Sequence, residues 1–216
     1  MHKPATRRQL WIVLGFSYFY MAVAAVSIVS RRNLEFMIYL ATMAMILTAV
    51  LAVYRRAGLS ASLLWCFSLW GLAHMAGGLI PIPASWHAPD VSSVVYNWRL
   101  IPGYLRFDQL VHAYGVGLVT WLVWQALARR VHGHDDRPLR PTFGILAVCA
   151  AAGMGFGALN EAIEFVASLN IADHNIGDYR NTGWDLVSNF VGAAIAATVI
   201  WILSHTRFRG EFDLPT

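Results

Sequence analysis

Charged residues are scarce in this sequence of 216 residues, and their scarcity excludes an ordinary soluble domain. Asp, Glu, Lys and Arg make up 13% of the chain, about half of the roughly 25% that is usual for soluble domains. Cysteine is also rare. Cys66 and Cys149 both lie in apolar runs and form no C-x-x-C or zinc-ribbon pattern, so we expect them to pack in the core. With 57% hydrophobic residues, the composition predicts an integral membrane protein.

The sequence also lacks a concentrated basic patch. Its formal net charge is +4, but the basic residues stand in short clusters between apolar runs. A nucleic-acid-binding surface requires them on one face or stripe, so we expect no nucleic-acid partner. Short Lys/Arg clusters beside apolar runs instead set the orientation of membrane helices.

Six apolar runs are long enough for about 20 residues of helix to cross a bilayer. The first run exceeds the apolar region of a secretory signal, so we expect a retained helix. The long connection at 81–106, rich in proline and tryptophan, is expected to lie on the membrane surface. The prediction is one all-α transmembrane domain over 1–216, with helices at about 9–30, 34–54, 59–80, 107–128, 142–169 and 184–205.

The distribution of Lys and Arg predicts that both ends of the chain face the cytoplasm of a bacterial inner membrane. With the N-terminal side inside, eleven of the sixteen basic residues fall in cytoplasmic segments and five in outer segments. Cytoplasmic loops carry the excess of Lys and Arg in membrane proteins. The outer five are Arg31, Arg32, Arg99, Arg106 and Arg180.

Polar residues inside four of the predicted helices stand at one depth. His74 is six residues before the end of its helix, and Glu164 is five before the end of its own. His112 and Asn189 each follow a predicted helix start by five residues. At a rise of 1.5 Å per residue, all four lie roughly 8–9 Å below the outer face. Helices that alternate in direction would scatter randomly placed polar residues, so a common depth predicts one site.

Helical spacing supports this site. Three polar pairs, separated by three or four residues, each share one helix face: Asp108 and His112, Glu161 and Glu164, and Asp185 and Asn189. Small residues, which allow close helix approach in lipid, flank the polar residues: Gly71, Gly77 and Gly78; Gly115 and Gly117; Gly153, Gly155 and Gly157; Gly192, Ala193 and Ala194. Asp173 and His174 in the next outer loop are expected to line an entrance.

Three states would balance this excess of buried acid. The carboxyl groups are protonated, arginines such as Arg106 or Arg180 pair with them, or a cation is bound. Imidazole and carboxylate together suit zinc, iron or manganese, and a metal would supply Lewis acidity or an activated water. The candidate metal ligands are His74, His112, Glu161, Glu164 and Asp185. Candidate catalytic residues are Glu161, Glu164 and Asp108, the last orienting His112; Asn189, Asp178 and Arg180 are candidate substrate-contacting or supporting residues.

Helix packing offers simpler explanations for single members of the set. His74 suits an interhelical hydrogen bond as well as it suits a metal. Asp108 and Asp185 lie near helix N-termini, where the helix dipole favours an acid. Glu161 and Glu164 resist such an explanation, because they lie near the C-terminal end of an apolar helix.

Blocks of sequence around these residues resemble the YjdF-like inner-membrane proteins of bacteria. The matching patterns are D-x-x-x-H at Asp108 and His112, E-x-x-E at Glu161 and Glu164, W-D-x-x-x-N-x-x-G beginning at Trp184, and H-x-x-G-G beginning at His74. The motif order is more distantly similar to the VanZ-like family, which is associated with teicoplanin resistance and usually has Gln in place of Glu164. The resemblance runs from about His74 to Gly192. It implies the site and no particular reaction.

Four functional hypotheses follow. The first is an enzyme at the outer leaflet, acting on a lipid or lipid-linked molecule. The second is a non-catalytic binder of a cationic headgroup or amine. The third is a proton-coupled transporter, which the absence of acids from the cytoplasmic halves disfavours. The fourth is a structural subunit with membrane-protein partners.

Overall fold

Six long helices form the fold of the described residues. A computed structural model of the chain describes residues 3–31, 34–88, 91–132, 138–171 and 177–212. Each of the six helices is long and apolar enough to cross a membrane, which confirms the predicted fold class. Their bounds are α1 Arg7–Arg31, α2 Leu34–Ala57, α3 Ala61–Leu79, α4 Phe107–Arg130, α5 Phe143–Asn170 and α6 Tyr179–Phe212.

The start of α6 differs from the prediction. The helix begins at Tyr179, five residues before the expected start, because Asp178 caps it: its Oδ1 accepts from the backbone N–H of Asn181 at 2.9 Å. Hydropathy marks where a segment enters lipid, and it does not mark where a helix begins. Asn189 therefore lies ten residues after the first residue of α6, and its depth, which is counted from where the apolar segment enters lipid, stays a prediction.

The bundle is arranged around α4, which packs against α3, α5 and α6. Close backbone approach makes these contacts: an added Cβ at Gly192 of α6 would overlap the carbonyl oxygen of Ala113 on α4, and one at Gly153 of α5 would overlap the Thr120 hydroxyl. On the other side, α1 packs on α3, while α2 contacts α1, α3 and α4. Gly155, by contrast, faces open space, so not every glycine in this set serves helix contact.

A buried polar contact ties α3 to α4 at the end of the bundle opposite the polar residues. Gln125 Oε1 accepts from the Ser60 backbone N–H at 3.0 Å, and Gln125 Nε2 donates to Ser60 Oγ at 2.9 Å. Ser60 is also the N-cap of α3, since its hydroxyl accepts from the backbone N–H of Leu63. The two helices are therefore fixed relative to one another at this end.

The connection between α3 and α4 is folded over its described part. It contains 3₁₀ turns at Ala84–Trp86 and Val95–Asn97, then a two-stranded antiparallel hairpin of β1 (Arg99–Ile101) and β2 (Leu105–Arg106). Trp86 and Trp98 stack with ring centroids 5.1 Å apart. The buried Asn97 donates to the Ser92 carbonyl oxygen at 3.1 Å. These contacts join parts of the connection to one another.

Candidate functional site

His112 stands at the centre of the polar cluster. Its Nδ1 lies 3.3 Å from Glu161 Oε1 on α5, and its Nε2 lies 3.6 Å from Asp108 Oδ1 one turn earlier on α4. The imidazole side chain is 9% exposed, Glu161 7% and Asp108 19%. The ring is therefore flanked by a carboxylate at each nitrogen, and the Asp108 side is the more open.

Two groups of potential metal ligands share this imidazole. His112 forms one with Asp108 and Asp185, and another with Glu161 and Glu164. Within each group, the ligand atoms lie within 4.8 Å of one another. The structure thus brings five of the predicted residues together, from α4, α5 and α6.

Several buried polar atoms in this cluster lack a hydrogen-bond partner among the described residues. They are both carboxylate oxygens of Glu161, Oδ1 of Asp185, Oδ1 of Asn181 and both amide atoms of Asn189. Asp185 and Asn189 are fully buried. Because a buried polar group without a partner costs about 1–3 kcal/mol, atoms of this kind indicate a site that takes a further ligand or proton.

Two asparagines that the sequence prediction omitted support the acids. Asn160 Nδ2 donates to Glu164 Oε1 at 2.8 Å, and Asn181 Nδ2 donates to Asp185 Oδ2. Each asparagine stands four residues before its acid on the same helix. The spacing was therefore a usable signal, because residues four apart lie on one helix face.

His74 lies apart from the two ligand groups. The hydroxyl of Tyr96 contacts His74 Nδ1 and also donates to the His74 carbonyl oxygen at 2.8 Å. A hydroxyl has one proton, so its oxygen must accept from Nδ1–H, which leaves Nε2 of a neutral imidazole unprotonated. The ring also stacks on Trp70, with centroids 5.6 Å apart. His74 is thus held in one tautomer by a residue of the connecting segment.

Two predicted supporting residues lie outside the cluster. Asp178 and Arg180 are both exposed, and Asp178 caps α6. Arg180 makes no ion pair with any residue in the described ranges. Within the described part of the chain, Arg106 forms no ion pair with a carboxylate. Asp173 and His174 lie outside the described residues.

A cavity of about 170 Å³ adjoins the cluster. His74, His112, Asn160 and Asn189 line one end. The remainder is apolar, with α2, α3 and α4 contributing most of the lining. The polar cluster is therefore one end of an amphipathic space.

Comparison with known proteins gives one result. Residues 12–206 match the family model described as "Predicted membrane protein (DUF2238)". The chain belongs to this family. The YjdF-like proteins are that same family, so this resemblance is confirmed, while the VanZ-like link is not shown. No curated protein and no solved structure gives a significant match.

Proposed function

We propose that this DUF2238 protein is a divalent-metal-dependent enzyme of the bacterial inner membrane that acts at the outer leaflet on a lipid or lipid-linked molecule. The observation that carries the proposal is His112 between two carboxylate pairs, with buried oxygens on Glu161 and Asp185 that accept no hydrogen bond from the described residues. The positive-inside distribution supports placing this end of the bundle outside. The adjoining amphipathic cavity supports a lipid-like substrate.

Charge balance favours a bound cation. Four carboxyl groups surround one imidazole, and no arginine or lysine in the described ranges is ion-paired with them. Charged groups inside a membrane are costly and pair with one another or mark a functional site. One divalent ion would neutralise two of the four acids, and an imidazole with carboxylates suits zinc, iron or manganese.

His112 can ligate on one side only. A neutral imidazole has a single lone pair, and its other nitrogen donates a hydrogen. A metal between His112, Glu161 and Glu164 would leave Nε2–H to donate to Asp108; a metal beside Asp108 and Asp185 would leave Nδ1–H to donate to Glu161. In both arrangements, the carboxylate beside the nitrogen that does not ligate accepts the hydrogen of that nitrogen and so fixes the tautomer. Acceptors of this kind orient metal-bound histidines generally.

When bound, the metal would polarise a headgroup oxygen or lower the pKa of a bound water. The carboxylate that is not ligated would accept or return a proton at that oxygen. The apolar surroundings limit the entry of bulk water, which strengthens the electrostatic interactions inside.

A second candidate is a non-catalytic site for a cationic headgroup or amine. The same excess of carboxylate over paired cations favours it, because an ammonium group would supply charge that the described residues do not. A structural subunit with membrane-protein partners is a further alternative, in which the cluster serves helix packing. Under either alternative the purified wild-type protein holds no metal.

The experiment measures metal content by mass spectrometry in purified wild type, His112→Ala and Glu161→Gln. His205→Ala is the matched control, because His205 is exposed near the far end of α6. We expect about one metal per chain in wild type and control and none in His112→Ala. Metal-free wild type, or a His112→Ala protein that keeps its metal, would contradict the proposal.

A second pair of variants distinguishes the two arrangements. Asp108→Asn and Glu164→Gln alter the carboxylates on opposite sides of His112. The variant that removes a ligand should lose the metal, whereas the variant that removes the supporting acceptor should weaken affinity about 10–100-fold. Lipids extracted before and after incubation with the metal-loaded protein then show whether a product forms, and metal-loaded protein without turnover would contradict the enzymatic part of the proposal.

A further inference from the structure

The cavity beside the candidate site extends towards the opposite face of the membrane. Its polar end is formed by His74, His112, Asn160 and Asn189, and its apolar floor continues along α4 through Val119 to Leu122. Ten residues separate His112 from Leu122, which is about 15 Å along the helix. The space is therefore elongated parallel to the bundle, with its polar groups at one end.

Two helices that belong to different parts of the bundle form its sides. α2 contributes Ile46, Ala49 and Val53, and α5 contributes Phe156. α2 packs on α1, α3 and α4, whereas α5 packs on α4 and α6, so α4 lies between them. Ala49 and Phe156 are both exposed. The side of the cavity between α2 and α5 therefore faces the bilayer.

The lining and size restrict what fits. A stable water needs two to four polar partners, and the apolar floor offers none. A peptide strand would leave its backbone groups unpaired there, and a helix about 10 Å across is too wide. The volume is close to that of an apolar cavity of about 150 Å³ that binds benzene, so the cavity can hold a slender segment of hydrocarbon.

We infer that this cavity receives a single hydrocarbon chain of a lipid, entering sideways between α2 and α5, while the headgroup of the same lipid reaches His112. The inference rests on the proposed function for the identity of the headgroup site. It adds that the hydrocarbon chain binds in the cavity while the headgroup binds at His112. Ala49 and Phe156 stand at the mouth of this cavity, which is called the groove below.

The groove selects its occupant by shape. Moving a chain from the bilayer into an apolar groove gains little hydrophobic free energy, because lipid is already as apolar as the lining. Occupancy then depends on fit and on the headgroup contact, so a bulky side chain at the mouth should be decisive. One methylene of misfit in an apolar pocket changes discrimination about 10–200-fold.

The test is photolabelling in vesicles of phosphatidylethanolamine and phosphatidylglycerol that contain a phospholipid with a diazirine at the end of one acyl chain. The readout is the label on the groove floor at Val119 and Leu122, relative to the label on exposed Phe190 of α6. Wild type should carry floor label. Ala49→Trp should reduce the ratio about tenfold or more. Ala52→Trp, on the same helix and outside the cavity lining, is the matched control and should leave it unchanged.

A second variant guards against misfolding of the first. Phe156→Ala widens the mouth and should raise the floor label above wild type. Metal content is measured on the same samples and should stay at the wild-type value in all three variants. Floor label that is absent from wild type, or that neither Ala49→Trp nor Phe156→Ala alters, would overturn the inference. Metal-free wild type whose floor label is intact and depends on Ala49 would instead refute the metal proposal, while the inference about the hydrocarbon chain would stand.

Discussion

Replacing Gly192 with alanine should loosen the contact between α4 and α6 and disturb the site. The added Cβ would overlap the carbonyl oxygen of Ala113, the residue after His112. Asp185 stands two helical turns before Gly192, so separation of the helices would draw Asp185 away from His112. Overpacking of this kind costs about 1–3 kcal/mol.

The matched control is Gly183→Ala on the same helix, where an added Cβ meets nothing within 4 Å. Alanine is favoured over glycine inside a helix by about 0.5–1 kcal/mol, and this gain is common to both variants. The difference between them therefore isolates the overlap, at about 1–3 kcal/mol. We expect Gly183→Ala to match or exceed wild type, and Gly192→Ala to fall below Gly183→Ala by that amount.

The assay is the free energy of unfolding in mixed detergent micelles, with metal affinity measured on the same proteins. Gly192→Ala should also weaken metal binding, because one ligand group includes Asp185. Equal stability of the two variants would refute the close approach of α4 and α6. Lower stability with unchanged metal affinity would show that the bound metal does not depend on Asp185.

Three further predictions follow from other contacts. Tyr96→Phe removes the hydroxyl that holds His74, so it should lower the free energy of unfolding by about 1 kcal/mol. Both His74 tautomers should then appear in a ¹⁵N NMR spectrum, and a single unchanged tautomer would contradict this contact. Gln125→Leu leaves the buried Ser60 N–H without its acceptor and should lower the free energy of unfolding by about 1–3 kcal/mol. A loss smaller than that of an exposed substitution such as Ala52→Leu would show that the contact between Gln125 and Ser60 contributes little to stability. A reporter enzyme that works only in the cytoplasm should be active when it is fused after α6. Activity of a reporter that works only in the periplasm, fused at the same place, would show the opposite orientation.

Hydropathy was sufficient to predict the six helices because lipid imposes a minimum apolar length on each. It was insufficient for their ends. α6 extends back to Tyr179 through Arg180 and Asn181, which are polar residues that a helix accepts once Asp178 caps it. Hydrogen bonding decides where the helix begins, and hydropathy does not report it.

The meeting of Asp108, His112, Glu161, Glu164 and Asp185 followed from depth and helical spacing. The position of His74 did not, since a residue distant in sequence holds it. Tyr96 lies in a connecting segment without periodicity, and its hydroxyl reaches His74 across 22 residues. Pairing of this kind depends on how the segment folds onto the bundle, which no local pattern records.

The most direct measurement of the central claim is anomalous X-ray diffraction from crystals of the metal-loaded protein at the absorption edge of the bound ion. The account predicts one peak beside His112, about 2.0–2.2 Å from a single ring nitrogen and in contact with the carboxylates of either Glu161 and Glu164 or Asp108 and Asp185. The absence of a peak, or a peak away from His112, would contradict it.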